Sequence, residues 1–231
     1  LTTEQTREYQ SVLKKRAERI PLQYITGEQE FMGLTFHVNN NVLIPRQDTE
    51  TLVEEVMRYL RDGMEILDVC TGSGCILLSL LRYSNGCRGV GCDISEKALA
   101  VAGQNAKELG ISAQFIQSDL FESIEGRFEY IVSNPPYIRK DMIPTLMEEV
   151  RDHEPLIALD GGEDGLDFYR KITREATEHL YSGGMLFFEI GYDQGETVKL
   201  LMEEEGYEEV TVSQDLAGLD RVVYGTFNGR K

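Results

Sequence analysis

Two segments of the sequence contain the residue types of a nucleoside-binding site. An apolar stretch leads into a turn that reads Cys70-Thr71-Gly72-Ser73-Gly74, and the next apolar stretch ends at Asp93. Glycines in such a turn let the backbone approach a ligand closely, and a carboxylate at the end of the second strand can accept both hydroxyls of a ribose. A dinucleotide site would need a third glycine where this chain has Leu77, so the pyrophosphate fingerprint is absent. The pattern therefore predicts a nucleoside ligand without phosphates.

S-adenosylmethionine is a ligand of this kind. Its sulfonium is cationic, and Asp68 with the acidic surroundings would not oppose it. Two other interpretations stay open at this stage. The glycine turn could be a packing turn without a ligand, and Asp93 could cap a helix that begins near Glu96.

A third segment, Ser133-Asn134-Pro135-Pro136-Tyr137, has the residue types for binding a planar amino group. The prolines stiffen the loop and have no N–H donors, so the Asn134 side-chain oxygen and nearby carbonyls need a ligand that donates. A planar NH2 group offers two hydrogens in fixed directions, and Tyr137 could lie against its flat face. Holding both hydrogens would orient a poorly nucleophilic nitrogen toward a methyl carbon, which is orientational and electrostatic catalysis. A proline-rich turn without chemistry is the alternative.

These segments require strands and helices that bring them together. Strands are predicted at 64–69, 88–94, 113–117, 130–133 and 185–190, with helices at 75–81, 96–109 and 166–180 between them. Alternation at this spacing indicates a parallel sheet covered on both faces. Residues 209–213 and 221–227 are joined by a short loop, which predicts an antiparallel hairpin at the sheet edge.

The N-terminal part has a different pattern. Thr2 and Gln5 have capping-box spacing, and apolar residues at helical spacing then predict one helix over 3–20. A β-hairpin is predicted over 24–31 and 34–43, and Asp48 or Thr49 is expected to cap a helix after Pro45. We therefore expect three segments: 1–20 as the last helix of an incompletely present N-terminal helical domain, 21–44 as a hairpin linker, and 45–231 as the main domain.

Composition excludes several classes of protein. The chain has 231 residues, of which 41% are hydrophobic, with a formal net charge of −17. It is thus globular, and it would repel a phosphate backbone, so direct nucleic-acid binding is not expected.

No apolar run approaches a membrane span, which makes the cytoplasm the default location. The spacing of its four cysteines matches neither a zinc site nor a secreted disulfide framework, which predicts reduced thiols, mostly buried.

For other polar residues, the sequence pattern does not distinguish a functional role from a structural one. His37, His153 and His179 are scattered and are expected to be structural or exposed, and no metal site is predicted. Arg46 and Glu50 could close over a cofactor or could charge the start of a helix. Glu189, at the end of a predicted strand, could be a pocket wall or a strand-end cap.

The motifs together resemble a known group of enzymes. Residues 68–74, Asp93, Asp119-Leu120 and Asn134-Pro135-Pro136-Tyr137 are similar to the successive motifs of class I S-adenosylmethionine-dependent methyltransferases that act on planar amino nitrogens. The segments 21–27, 31–34, 44–50 and 160–166 narrow the resemblance to the HemK/PrmC family of glutamine methyltransferases, over residues 20 to 227. The Asn-Pro-Pro-Tyr motif is shared with DNA adenine methyltransferases, but its combination with Pro45-Arg46-Gln47-Asp48-Thr49-Glu50 is specific.

The resemblance implies a fold, a reaction and a set of site residues. The fold is a Rossmann-like α/β domain whose mostly parallel seven-stranded sheet has a C-terminal antiparallel hairpin. The reaction is methylation of the glutamine side-chain amide in the Gly-Gly-Gln motif of peptide chain release factors, with S-adenosyl-L-methionine as cofactor and S-adenosyl-L-homocysteine as product. The implied cofactor residues are Asp68, Cys70, Thr71, Gly72, Ser73, Gly74, Asp93, Ile94, Asp119, Leu120 and Asn134. The implied substrate residues are Asn134, Pro135, Pro136 and Tyr137, of which Asn134, Pro135 and Tyr137 are the expected catalytic ones.

Two departures and three rival functions accompany this interpretation. The family usually has Gly where this chain has Cys70, so either the backbone there does not need positive φ or the approach of the cofactor is altered. The family also carries a helical N-terminal domain that helps to grip the release factor, and only its last helix is expected here. The rivals are methylation of a ribosomal protein glutamine, methylation of adenine in nucleic acid, and cofactor binding without catalysis. The charge of −17 disfavours adenine in nucleic acid, and the intact Asn134 disfavours a non-catalytic protein.

Overall fold

The N-terminal part of the protein packs helices and a small hairpin beside the main domain. The structure is a computed structural model that describes residues 2–229, so Leu1, Arg230 and Lys231 of the expected segments lie outside the described residues. The elements of this part are α1 (Thr3–Ala17), α2 (Leu22–Thr26), β1 (Glu28–Phe31) and β2 (Leu34–His37), and α3 (Glu50–Tyr59) then begins the main domain.

Helix α1 has the predicted start and an earlier end. Thr2 and Gln5 form the reciprocal capping box, but the helix ends at Ala17 and not at residue 20. The reason is local: Arg19 has a φ of +63°, which no α-helix accommodates, and Pro21 disfavours helical geometry at residue 20. The apolar side chains of α1 remain at the surface, with Tyr9 58% and Leu13 49% exposed.

The hairpin is shorter than predicted. Tyr24 belongs to helix α2, which Gly27 ends with a left-handed φ of +83°, and its hydroxyl donates to the Val42 carbonyl at 2.6 Å. The second strand stops at His37, because Asn39 then turns the chain by accepting the Asn41 N–H at 2.9 Å. The segment from 38 to 46 is therefore free to run along the main domain.

The main domain alternates strands with helices as predicted. Its elements are β3 (Glu65–Val69), α4 (Cys75–Tyr83), β4 (Arg88–Asp93), α5 (Glu96–Leu109), β5 (Gln114–Gln117), β6 (Phe128–Ser133), α6 (Glu148–Arg151), α7 (Asp167–His179), β7 (Leu180–Glu189), α8 (Gly195–Glu204), β8 (Tyr207–Gln214) and β9 (Asp220–Phe227). Helices α6 and α8 were not predicted from the sequence. Strand β7 begins five residues earlier than predicted and contacts β6 through Leu180 opposite Phe128.

Within residues 2–229 the main sheet has seven strands in the order β5-β4-β3-β6-β7-β9-β8. Strands β3 to β7 pair in parallel, whereas β9 is antiparallel to both β7 and β8. The expected fold class is confirmed. The order reverses between β3 and β6, and ligands of open α/β sheets bind beyond the carboxyl ends of the strands at such a point.

Alternate residues of each strand contribute to two cores, one on each face of the sheet. Ile66, Tyr130 and Phe187 pack with α3 and α4, whereas Leu67 and Ile131 pack with α7 and α8. Both faces are buried, so the strands are held rigidly and their ends position the following loops. Across residues 2–229, none of the helices is long and apolar enough to cross a membrane.

Candidate functional site

The loops at the carboxyl ends of β3, β4, β5 and β6 surround a cavity of about 290 Å³. The loop ends are joined directly: the Ser133 hydroxyl donates to the Val69 carbonyl at 2.7 Å, and the Thr71 N–H donates to the Cys92 carbonyl at 2.9 Å. Ten of the site residues expected from the sequence line this cavity: Cys70, Thr71, Gly72, Ser73, Asp93, Ile94, Asp119, Leu120, Asn134 and Pro136. Sequence segments up to 66 residues apart thus meet at one place.

The turn after β3 has the left-handed backbone that glycine favours. Gly72 and Gly74 have φ of +55° and +78°, and Cys70 has a φ of +62°. The backbone at Cys70 therefore does adopt positive φ, so the first explanation for the missing glycine is wrong. A non-glycine residue in this conformation carries strain of about 1–3 kcal/mol.

The two glycines of the turn serve different purposes. A side-chain carbon at Gly72 would meet no atom of the described residues within 4 Å, so the cavity stays open there. One at Gly74 would lie 3.2 Å from Ala102 and Leu78 atoms. Gly74 does not line the cavity, and its role in this structure is the close packing of α4 against α5.

Asp68 lies beneath the turn and does not line the cavity. It is fully buried, its Oδ2 accepts the Thr71 hydroxyl at 2.6 Å, and its Oδ1 has no partner among the described residues. Burial raises the pKa of this carboxyl to about 7, against the lowering effect of the Thr71 hydrogen bond. Asp68 can thus act on a ligand only through Thr71 or at longer range.

Asp93 joins two of the loops. Its Oδ2 accepts the Gly72 N–H at 3.0 Å and its Oδ1 accepts the Ser95 N–H at 2.9 Å. Helix α5 is capped by the Ser95 hydroxyl, which accepts the Ala98 N–H, so Asp93 as the cap of that helix is wrong. Burial raises the pKa of Asp93, and backbone N–H groups oppose that shift. Each carboxylate oxygen keeps a further lone pair for a hydroxyl donor.

Apolar side chains continue the wall beyond Asp93. Ile94 lines the cavity with 48% of its surface exposed, and Leu120 lines it from the loop after β5 in a left-handed conformation with φ of +49°. Asp119 and Ser118 lie on the same side. This wall combines apolar surface with polar atoms at its edge, which is the usual composition of a small-molecule site.

The loop after β6 divides its residues between the cavity and the core. Asn134 is half-buried and lines the cavity with Pro136, whereas the buried Pro135 does not line it. Tyr137 also lies away from the cavity, because its ring packs against the core and its hydroxyl donates to Glu189 Oε1 at 3.3 Å. The expected stacking of Tyr137 on a planar substrate group is therefore not the arrangement of this structure.

Glycines of the segment 160–166 hold this loop. A side-chain carbon at Gly161 would lie 2.7 Å from Tyr137 Cα, so only glycine fits between the two backbones. The Gln194 side chain then donates to the carbonyls of Tyr137 and Gly165 at 3.1 and 3.2 Å. The loop after β6 is thus rigidly supported from behind.

Sequence reasoning missed one wall of the cavity. It is built by residues from three separate segments, namely Asn41, Val42, Leu43, Pro45, Thr49, Pro155, Ile157, Ala158, Phe168 and Lys171. Arg46 also lines the cavity and pairs with the buried Glu154, which accepts the Ile44 N–H as well. Glu50 instead accepts the Met32 N–H at 2.6 Å and holds the hairpin. The Pro-Arg-Gln-Asp-Thr-Glu stretch was a signal for part of this wall, but residues 155–158 had none.

The other polar residues have structural surroundings. Among residues 2–229 no cluster of three potential metal ligands exists, and the four cysteines are free, with Cys75 and Cys92 buried. His153 and His179 contact the carbonyls of Glu18 and Gly126. Glu189 is buried beside Tyr137 and is not part of the cavity wall.

Comparisons with known proteins agree with this geometry. Two family profiles match the chain: "Methyltransferase small domain" over residues 46–150 and "PrmC N-terminal domain" over residues 1–27. A release factor glutamine methyltransferase from Clostridium acetobutylicum is 44% identical over 230 residues, covering 96% of this chain and 81% of its own.

Solved structures with the same fold were also found. A protein-(glutamine-N5) methyltransferase (release factor-specific) from Alicyclobacillus acidocaldarius is 30% identical, with a TM-score of 0.50 over 84% of this chain and 99% of its own. A methyltransferase from Pyrococcus furiosus has the same fold, with a TM-score of 0.67, 19% identity, and coverage of 94% of this chain and 99% of its own. The chain belongs to the HemK/PrmC family of release factor glutamine methyltransferases.

Proposed function

We propose that the protein transfers a methyl group from S-adenosylmethionine to the side-chain amide nitrogen of the glutamine in the Gly-Gly-Gln motif of peptide chain release factors. One observation carries the proposal. Asn134 faces the same cavity as Asp93 and Gly72, so an acceptor for an amide NH2 lies next to a nucleoside-type site. The family relationship selects glutamine among the planar amino groups that such a site could bind.

The residues present fit S-adenosylmethionine. The space left open at Gly72 leaves room for a ligand, and the free lone pairs of Asp93 suit the two ribose hydroxyls. Ile94 and Leu120 offer apolar surface for adenine, with Asp119 at its edge. Two carboxylates, Asp93 and Asp119, line the cavity together with two cationic side chains, Arg46 and Lys171, so the wall offers partners for both the cationic and the anionic groups of this ligand.

When bound, S-adenosylmethionine supplies a methyl carbon on a sulfonium, and S-adenosylhomocysteine remains as the product. The turn residues Cys70, Thr71, Gly72 and Ser73 would hold its methionine part, and Asp93 its ribose. Asp68 and Gly74 would act indirectly, Asp68 by orienting Thr71 and Gly74 by closing the packing of α4.

Asn134 is the proposed catalytic residue. Its Oδ1 would accept one hydrogen of the substrate amide, because the prolines that follow offer no N–H to this oxygen. This acceptor holds the nitrogen in one orientation and stabilises the positive charge that develops as it forms the new bond to carbon. The methylated nitrogen then releases one proton to solvent water.

Helix α1 is proposed to belong to a part of the protein that grips the release factor. Its end is tied to the segment near the cavity by the ion pairs Arg16–Glu149 at 2.5 Å and Arg19–Glu148 at 3.5 Å. Its exposed Tyr9 and Leu13 give it an apolar surface for a protein partner.

We propose no direct contact with nucleic acid, given the net charge of −17, and a cytoplasmic location, where release factors act.

A substrate panel tests the proposed function. The protein is incubated with labelled S-adenosylmethionine and, separately, a release factor, a glutamine-containing ribosomal protein and adenine-containing DNA, and methylated sites are located by mass spectrometry. We expect methyl transfer to the Gly-Gly-Gln glutamine. Label on the ribosomal protein or DNA, with none on the release factor, would overturn the proposal.

A further inference from the structure

The side chain of Gln194 holds three loops together. Gln194 is the residue before α8, and within the described chain its side chain makes no capping hydrogen bond to that helix. It is buried, and its NH2 group donates instead to the carbonyls of Tyr137 at 3.1 Å and Gly165 at 3.2 Å. Its Oε1 accepts the Gly191 N–H at 2.9 Å. One side chain thus connects the loop after β6, the segment 160–166 and the turn after β7.

The partners of Gln194 allow only one orientation of its amide. A backbone N–H only donates, and a backbone carbonyl only accepts. With the amide reversed, its NH2 group would face the Gly191 N–H, and its oxygen would face the carbonyls of Tyr137 and Gly165. Such contacts leave buried polar groups unpaired, which costs free energy. The orientation is therefore fixed by the backbone, at any protonation state of the neighbouring side chains.

Two glycines make room for this amide. A side-chain carbon at Gly165 would lie 2.9 Å from Gln194 Nε2 and would overlap the carbonyl oxygen of Tyr137. A side-chain carbon at Gly191 would lie 2.8 Å from Gln194 Oε1. Any larger residue at either position would displace the amide, because packing in a protein interior leaves no free space to absorb it. The three loops are thus fitted closely around Gln194.

The loop after β6 is held on both sides of its two prolines. On one side the Ser133 hydroxyl donates to the Val69 carbonyl at 2.7 Å, and on the other side Gln194 holds the carbonyl of Tyr137. Proline fixes φ, so the two prolines leave the chain little freedom to absorb a displacement. A shift at Tyr137 is therefore passed on to Asn134, which lines the cavity.

We propose that Gln194 is a positioning residue that sets the place of Asn134 relative to the cofactor site through the carbonyl of Tyr137. The inference rests on the proposed function. Asn134 can orient a substrate amide toward a methyl carbon only from the correct place, and a displacement of about 1 Å in such an arrangement can lower a rate about 100-fold. Gln194 does not line the cavity, so it acts without touching either ligand.

Two substitutions of similar size test the proposal. Gln194→Glu keeps an oxygen that accepts the Gly191 N–H, but it has at most one hydrogen to donate when protonated and none when ionised. Gln194→Met keeps the length of the side chain and removes its amide. In each variant the carbonyl of Tyr137, the carbonyl of Gly165 or both lose their donor.

Asn105 offers a matched comparison in another part of the site. Its buried NH2 group donates to the carbonyls of His37 at 3.1 Å and Ser73 at 2.9 Å, and its Oδ1 accepts the His37 N–H at 2.7 Å. Asn105 and Gln194 thus each bind two backbone carbonyls and one backbone N–H. Ser73, however, belongs to the turn after β3 and lines the cavity. Asn105→Asp therefore disturbs a loop of the cofactor site in the way that Gln194→Glu disturbs the loop after β6.

The two sites should separate turnover from cofactor affinity. With a Gly-Gly-Gln peptide, we expect each Gln194 variant to lower kcat about 10- to 100-fold. Its KM for the peptide and its affinity for S-adenosylhomocysteine should change less than about 3-fold. Asn105→Asp should instead weaken binding of S-adenosylhomocysteine about 10-fold and lower kcat at saturating cofactor less than about 3-fold. General destabilisation would affect both measurements alike in both proteins and could not produce this crossed result.

Hydrogen exchange gives a second readout, which does not depend on activity. The Ile138 N–H donates to the Leu159 carbonyl at 3.0 Å, and the Gly161 N–H donates to the Ile138 carbonyl at 2.9 Å. These two amides report on the contact between the loop after β6 and residues 159–161. In both Gln194 variants they should exchange about 10-fold faster or more, whereas in Asn105→Asp they should exchange as in the wild-type protein.

Several results would overturn the inference: wild-type kcat in either Gln194 variant, an equal loss of kcat in Asn105→Asp, a loss of S-adenosylhomocysteine affinity in Gln194→Glu as large as that in Asn105→Asp, or unchanged exchange at the two amides in the Gln194 variants. Failure of the proposed function is distinguishable. In that case the wild-type protein does not methylate the peptide at all, while the exchange rates still test the link between Gln194 and the loop after β6.

Discussion

The Gly72 N–H donates a 3.0 Å hydrogen bond to Asp93 Oδ2, which joins the turn after β3 to the end of β4. The same carboxylate accepts the Ser95 N–H, so one side chain fixes two of the loops that line the cavity. We therefore expect Asp93 to affect cofactor affinity both directly and through the shape of the turn.

Replacing Asp93 should weaken cofactor binding. Asp93→Ala removes the carboxylate, and hydrogen bonds to a charged group contribute about 1–3 kcal/mol, so calorimetry should find S-adenosylhomocysteine bound more weakly by that amount. The exposed Asp62→Ala is the control and should bind normally. Unchanged affinity in Asp93→Ala, or binding of NAD or ATP instead, would contradict the assignment of this site.

Replacing Asn134 should affect turnover and spare the cofactor. Asn134→Ala is expected to lower kcat by about 100-fold or more, because its oxygen acts on charge that develops in the transition state. The affinity for S-adenosylhomocysteine should remain nearly unchanged. Asn85→Ala, at an exposed asparagine away from the cavity, serves as the comparison. Equal kcat in the two variants would remove Asn134 from the mechanism.

Cys70 should tolerate replacement by glycine. At a φ of +62°, relief of backbone strain in Cys70→Gly offsets the loss of a packed thiol, so the free energy of unfolding should change by less than about 1 kcal/mol. Cys92→Gly removes a buried thiol from a regular strand and should cost roughly 2–3 kcal/mol. Denaturant unfolding of both proteins measures the difference, and similar losses would argue against strain at Cys70.

The buried carboxyls should make stability fall as the pH rises. Burial raises the pKa values of Asp68 and Glu189 to about 7, whereas the unfolded chain releases these protons near pH ~4. Between these values the native state binds more protons than the unfolded state, so the free energy of unfolding decreases from about pH 5 to about pH 8.

Glu189→Gln should reduce this pH dependence. The substitution removes one of the two titrating groups. Glu189 contributes up to about 3 kcal/mol to the change in the free energy of unfolding between the two pH values, because each pKa unit corresponds to about 1.4 kcal/mol. Denaturant unfolding at both pH values measures the change. Glu125→Gln, at an exposed site, is the control and should leave the difference unaltered. A Glu189→Gln protein with the same pH dependence as wild type would show that Glu189 does not titrate in this range.

Helix α1 should matter for the intact release factor only. Replacing Tyr9 and Leu13 by Ser should raise KM for the intact factor and leave kcat less affected, since a remote surface contributes binding that ground and transition states share. A Gly-Gly-Gln peptide cannot reach that surface, so its kcat/KM should not change. Leu216→Ser, at another exposed apolar residue, is the control. Equal effects on factor and peptide would mean that α1 is only a packing element.

The sequence by itself predicted the elements and the chemistry that each loop carries. Apolar periodicity located the strands that end at Val69, Asp93 and Ser133, and helix α5 was predicted at the bounds it has. Apolar periodicity and turn residues are local signals, because each of them depends on only a few consecutive residues. Parallel strands then bring their carboxyl ends to one edge, so Gly72, Asp93 and Asn134 were predictable as neighbours.

Only the tertiary structure decided what surrounds those residues. Thr49 has the sequence position of a helix cap, and its contact with Asn134, 85 residues away, depends on how α3 packs against the sheet. Tyr137 was expected to contact substrate, and packing against Gly161 and Glu189 turns it into the core. Contacts between distant segments are selected by how buried surfaces fit together and by which buried polar groups find partners, and no spacing along the chain encodes that choice.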